Sequence, residues 1–361
     1  MKTIVHLNNE TQIPLVGRND KEDLLADERD LWARGWATAG AVVWAGLAVL
    51  ARMGIARLGA IELLFLFAPL VIVPLGTELG RGMGGGWLEE LARRLQPAGA
   101  GFAVVAMGLP PGRRAAIVSV GWMVICLLMA GGGFVSLVRT LWRDAGGGAR
   151  ATSIVLRIVI SVARIDLAVG GAWLVASRLG MRPMGIQEPI GLLTAVHFHF
   201  AGFATATIAA ATLQFAERRG EYRWLTPVVL MVVGLPIVVA VGFVISPVIK
   251  MVAAILFSGS VAALAIAVRA CGREAENPTA RGLLQVAAGA VFASMVLSGA
   301  YAVADFAGSD VLTVPQMART HGILNAMGFC LLGLLGWLVE RSGAFDCRDR
   351  GSVKTRPFGS A

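Results

Sequence analysis

The sequence predicts an all-α fold, a polytopic transmembrane helix bundle of about ten spans with its N- and C-termini in the cytoplasm. Three observations carry this reading. Of 361 residues, 56% are hydrophobic and only 15% charged, with a mean hydropathy of +0.71. Globular chains carry roughly 25% charged residues, so too little polar surface is present to cover a soluble particle, and soluble enzymes are excluded as a class. Apolar runs of the length needed to cross a hydrocarbon core of about 30 Å recur along the chain. The basic residues, finally, alternate in number from one turn to the next.

The elements follow in order. Residues 1–34 read as a cytoplasmic amphipathic segment, acidic through Asp20, Glu22, Asp23, Asp27, Glu28 and Asp30, and without the basic start and close apolar run of a signal peptide. The transmembrane domain occupies 35–341, with spans at 35–51, 60–79, 97–109, 115–138, 153–178, 188–215, 225–245, 249–270, 282–303 and 318–341. The third is short, rich in glycine and closed by Pro110 and Pro111, which suits a short or re-entrant helix. Residues 342–361 form a basic cytoplasmic tail, with Arg348, Arg350, Lys354 and Arg356 drawn to anionic lipid. No internal repeat stands out. The 45 glycines suit close helix approach in lipid, and no alternating barrel strands appear.

With these spans, 22 basic residues fall on the side of the termini and 8 on the other, with Arg157 and Arg164 inside the fifth span. By the positive-inside rule this puts both termini in the cytoplasm. The net charge of +9 is therefore topological, spread between apolar runs, and implies no nucleic-acid partner. Cys126, Cys271, Cys330 and Cys347 are scattered, with no CxxC pair, so the sequence implies no metal, haem attachment or other cofactor.

An ionisable group at the centre of a span costs about 2.5–3.5 kcal/mol or more, so each one asks for a reason. The chain places Glu62 and Glu78 in the second span, Arg164 and Asp166 in the fifth, Glu188, His197 and His199 in the sixth, Asp305 after the ninth, and His321 and Asn325 in the tenth. Most of these fall in the outer half. At 100° per residue Arg164 and Asp166 point apart, so Arg164 needs a carboxylate from another helix, Glu62 or Glu188 being the nearest in register. His197 and His199 also point to opposite flanks.

Histidine and carboxylate pairs suit proton transfer. Accordingly His197, His199, His321, Asp166 and Glu188 are the candidate catalytic residues. Asn325, Asp305, Arg164, Glu62, Trp173 and Phe203 are candidates for holding a lipophilic small molecule, with membrane lipid the other partner. The chemistry open to such a site is isomerisation, epoxide opening or cyclisation of an isoprenoid or polyketide. The same groups also suit a proton-coupled transporter, or a haem or metal protein. The structural alternative has each histidine satisfied separately by a carbonyl or hydroxyl.

Two resemblances attach to these residues. LTAVHFHFAGFATATIAA (192–209), ARTHGILNAMGF (318–329) and VPLGTEL (73–79) resemble the YndJ-like family of bacterial polytopic membrane proteins, which supports the architecture and implies a transporter or no defined activity. VHFHFAGF (196–203) is locally similar to the HFH helix of haem-copper oxidases, whose His-Pro-Glu helix and His-His pair have no counterpart here.

Overall fold

In the computed structural model the chain is helical, with no strand among the described residues. The structure describes residues 18–84, 86–143, 151–220, 223–309 and 312–352, the side chains of 18–34, 143, 151 and 343–352 excepted. The outermost parts of the two terminal segments, 1–17 and 353–361, lie outside the described residues.

Among the described residues ten long helices follow one another: α1 (Arg18–Arg52), α2 (Ala60–Leu79), α3 (Trp87–Gly108), α4 (Arg113–Arg143), α5 (Ala151–Leu179), α6 (Ile190–Arg219), α7 (Leu225–Ile245), α8 (Pro247–Arg273), α9 (Pro278–Phe306) and α10 (Val314–Ser342), with one short 3₁₀ turn, Pro183–Gly185, before α6. The last helix continues to Ser352, and α1 enters its span without a break after the acidic segment. Among the described residues nine of these are apolar and long enough to cross a membrane. The exception is α3, whose first two turns carry Glu89, Glu90, Arg93 and Arg94. Its 22 residues nevertheless extend about 33 Å at 1.5 Å each, so the short third span expected from the sequence is instead a full-length helix. It begins ten residues before Pro97, with two acidic residues in the first turn where the helix dipole favours them.

Contacts at the helix ends obey the parity of ten crossings. At one end Glu78 accepts from Arg81 at 3.1 Å and Arg341 at 3.3 Å, Arg219 pairs with Glu274 at 2.9 Å, and Glu340 accepts the backbone N–H groups of Glu276 and Asn277. At the other end the Gly112 N–H donates to the Arg178 carbonyl at 2.7 Å, and Lys250 meets Asp305 at 2.6 Å. Residues that the basic-residue pattern assigns to opposite sides of the membrane do not meet in these pairs.

Three spans are interrupted by π-helical turns: α2 at Ala68–Ile72, α6 at Phe198–Thr205, and α10 at Ala318–Gly322 and Leu324–Leu331. These lie in or beside the three sequence stretches singled out above. In α2 the cause is local, since Pro69 has no N–H to give and its carbonyl is taken by the Gln96 side chain of α3 at 2.6 Å. The interrupted spans stand four apart, which gives the order of elements a period of four. An interrupted span (α2, α6) is followed each time by a helix with an internal proline (Pro97 in α3, Pro236 in α7) and then by two long packed helices (α4 and α5, α8 and α9). Four crossings restore the original direction, so the two units run in parallel, and α10 closes the second as α6 closes the first. Close approach between spans rests on glycine: a Cβ on Gly40 would collide with the Leu70 carbonyl oxygen, and one turn on Trp44 Nε1 donates to the Leu63 carbonyl at 2.7 Å.

Candidate functional site

A cavity of about 540 Å³ opens between α6, α7, α8, α9 and α10, with Leu64 of α2 also on its wall. That volume lies within the range of small-molecule sites. Its lining is mainly apolar, Phe198, Phe200, Phe243 and Phe257 included, and it reaches the helix ends where Lys250 and Asp305 pair. Into this lining project His197, His321 and Asn325.

The protonation of both rings follows from their partners. His197 Nδ1 lies 2.7 Å from the Leu193 carbonyl, one turn back on its own helix. A carbonyl only accepts, so Nδ1 carries the proton and Nε2 keeps a lone pair. The His197 side chain is exposed, and the space it is exposed to is the cavity. His321 Nδ1 lies 3.0 Å from the Ser294 carbonyl of α9 and 2.9 Å from the Ser294 hydroxyl, and a proton on Nδ1 satisfies the carbonyl. Its Nε2 then accepts from Asn325 Nδ2 at 3.1 Å, while the other Asn325 hydrogen goes to Ser294 Oγ at 2.8 Å and Ser294 donates to the His321 carbonyl at 3.2 Å. His321 is thus a fixed ring, and His197 a free one.

His199, one residue past the start of the α6 π turn, leaves on the other flank. Its Nδ1 donates to the Ala195 carbonyl at 2.8 Å and its Nε2 accepts from Trp122 Nε1 of α4 at 3.0 Å, with the Phe65 ring edge-on at 5.3 Å. Both nitrogens are spent, and ring and tryptophan are fully buried. Each four-helix unit therefore receives a histidine from the interrupted span that follows it: the first takes His199 onto Trp122, the second His321 onto Ser294. In the first unit that space is filled; in the second it is the cavity.

The remaining sequence candidates are dispersed. Asp305 lines the cavity mouth. Glu62 and Glu188 cap their own helices, accepting the N–H of Gly59 at 3.0 Å and of Leu192 at 3.2 Å, and neither meets Arg164. Arg164 pairs instead with Glu89 of α3 at 2.8 Å, and donates to the carbonyls of Gly80, at 3.2 Å, and Gly84. The expected partner was wrong because Glu89 belongs to the part of α3 that the sequence reading left outside the span. Asp166 is buried against Gly202, with Oδ2 unpartnered. Phe203 packs on Gly76, and Trp173 on the core, both outside the cavity lining. The single pocket expected to gather His199, Asp166, Glu188, Arg164, Glu62, Trp173 and Phe203 with the other residues is thus reduced to His197, His321, Asn325 and Asp305. Sequence reasoning missed Ser294 and gave Lys250 only a topological role. A serine inside an apolar span and a lysine in the first turn of α8 were the available signals. Among the described residues no three histidine, cysteine or carboxylate groups come together as metal ligands.

These features define a polytopic α-helical membrane protein with a cavity between its spans. The chain belongs to the YndJ-like family, whose model, described as YndJ-like protein, matches residues 63–329. It is 27% identical over 272 residues to the uncharacterized membrane protein YndJ of Bacillus subtilis (strain 168), a match that covers 74% of this chain and 45% of that protein. The chain therefore spans less than half the length of that relative. No solved structure matches. The family match runs from α2 into the second π turn of α10, and so contains His197, His321, Ser294 and Asn325.

Proposed function

We propose that the protein is an intramembrane acid–base catalyst of the cytoplasmic membrane that acts on a lipophilic small molecule, an isoprenoid or polyketide, by isomerisation, epoxide opening or cyclisation. The observation that carries this is the His197 Nε2 lone pair, presented to an apolar cavity while Nδ1–H is locked on the Leu193 carbonyl. A neutral imidazole held in this way takes a proton at one defined atom, which is what a general base must do. His321, held by Ser294 and Asn325, also lines the cavity as a fixed ring, so the proton-transfer role in this reading falls to His197. The basic-residue pattern supports an outward-facing cavity, within reach of a substrate arriving through the outer leaflet.

Proton-coupled transport is the second reading. It is favoured by the two parallel four-helix units and by the π-interrupted spans around the cavity, since internal repeats and broken helices recur in transporters. One experiment separates the two. Purified protein in lipid nanodiscs is incubated in D₂O with a lipophile extract of the source membranes, and the compounds are then analysed by mass spectrometry. Catalysis gives a new isomer or carbon-bound deuterium, and His197→Ala abolishes it. Recovery of every compound unchanged, together with uptake of one of them by sealed vesicles into which the same protein has been reconstituted, replaces catalysis by transport.

A further inference from the structure

The hydrogen-bond polarity of the cavity fixes one property of the molecule that enters it. The His197 Nε2 is an acceptor, because its other nitrogen holds the proton. Thr194, on the same wall, donates its hydroxyl hydrogen to the Ile190 carbonyl at 2.8 Å, so it too turns only lone pairs toward the lining. Asn325 spends both amide hydrogens, on Ser294 Oγ and His321 Nε2, which leaves its Oδ1 without a protein donor among the described residues. The reverse amide orientation, with His321 Nε2–H donating to Oδ1, is satisfied as well, because Ser294 Oγ lies 2.9 Å from His321 Nδ1 and donates to it, so the requirement on the ligand is set by His197 and not by Asn325. Donors on the lining lie toward the mouth: Lys250, held by Asp305 at 2.6 Å, and the Ser298 and Tyr301 hydroxyls further along α9. The wall beside His197 therefore offers acceptors.

We infer that the ligand of this cavity is a hydroxyl-bearing lipophile, bound with its O–H toward His197, and not the corresponding ether, aldehyde or ketone. The inference rests on the acid–base reading of the site and narrows its substrate class. A buried acceptor left without a donor loses the hydrogen bond and keeps the desolvation cost, which is why sites built for a hydroxyl reject the analogue that lacks it. Size gives a second limit. A cavity of about 540 Å³ falls in the range of sites that hold small organic ligands, a class that includes a prenyl alcohol of three isoprene units.

The test uses the full chain in lipid nanodiscs with tritiated farnesol, displaced by unlabelled farnesol, its methyl ether or farnesal. Saturable farnesol binding is expected, with the ether and the aldehyde competing at least about tenfold more weakly. His197→Ala is expected to bring the three compounds within about twofold of each other. Should that variant not remain monodisperse, the wild-type ranking still decides. If the ether or the aldehyde matches farnesol in the wild type, the hydroxyl requirement falls while the cavity reading stands. If none of the three binds saturably, both fall.

Discussion

Arg164 gives the sharpest test of how the bundle is held together. Its side chain is 2% exposed, and it donates to Glu89 at 2.8 Å and to the carbonyls of Gly80 and Gly84, so one guanidinium ties α5 to the turn between α2 and α3 and to the first turn of α3. Replacing it with methionine keeps much of the volume but strands a buried carboxylate, one of whose oxygens is already unpartnered, and frees two carbonyls. Breaking a buried pair from one side costs about 3–5 kcal/mol. At roughly 2 °C per kcal/mol, the low end for larger chains, the Arg164→Met midpoint should fall by about 6–10 °C. Glu89→Gln should cost less, about 1–3 kcal/mol, because the glutamine oxygen still accepts from Arg164. The double variant Arg164→Met/Glu89→Met should recover part of the loss, since a matched apolar pair leaves no stranded charge. The assay is fluorescence-detected size exclusion of a fluorescent-protein fusion after heating in mild detergent. A midpoint for Arg164→Met within about 2 °C of the wild type would refute the reasoning, as would a double variant less stable than Arg164→Met.

Two further predictions concern the first unit and the topology. Trp122→Phe removes the N–H that His199 Nε2 accepts at 3.0 Å and leaves a fully buried acceptor bare, so it should lower stability by about 1–3 kcal/mol in the same assay without changing ligand binding in the second unit. An equal loss of ligand binding would show that the two histidine positions act as one site. Reporter fusions after Gly220 and Ser309, which lie at opposite ends of the bundle, should give opposite signals, with Gly220 cytoplasmic. Matching signals would overturn the ten-crossing arrangement.

Much of the fold was legible because the bilayer restricts the choices. Span length and the basic-residue asymmetry follow from solvation alone and depend little on packing. The divergence of His197 and His199 was likewise a matter of helix geometry, and the two rings do leave α6 on opposite flanks. What stayed hidden depends on where helices begin and on backbone irregularity. The start of α3 was concealed by its charged first turns, and with it the partner of Arg164. Glu62 and Glu188 looked like intramembrane acids, yet sit within the first turns of α2 and α6 or just before them, where a carboxylate caps free N–H groups. The π turns carry no compositional mark except Pro69, so neither their spacing nor the period of four can be read from a hydropathy pattern.

The neighbours of each ring explain why one histidine position is packed solid and the other borders a cavity. Both units are closed by a π-interrupted span that delivers a ring with Nδ1–H on a carbonyl: the Ala195 carbonyl of the same helix for His199, the Ser294 carbonyl of α9 for His321. In the first unit Trp122 both fills the space and satisfies the remaining nitrogen, so the group ends as packing. In the second, Ser294 and Asn325 satisfy His321 with small side chains, which leaves the volume open. Satisfied on both nitrogens, neither His199 nor His321 is free to exchange a proton without breaking a hydrogen bond. His197 differs from both, because it stands on the wall of the open unit with one nitrogen anchored and the other bare. An apolar cavity with an unspent base on its wall is costly as architecture alone, since polar atoms that stabilise a fold are the ones whose hydrogen bonds are made. That inequality among three similar rings is the physical reason to look for the chemistry at His197.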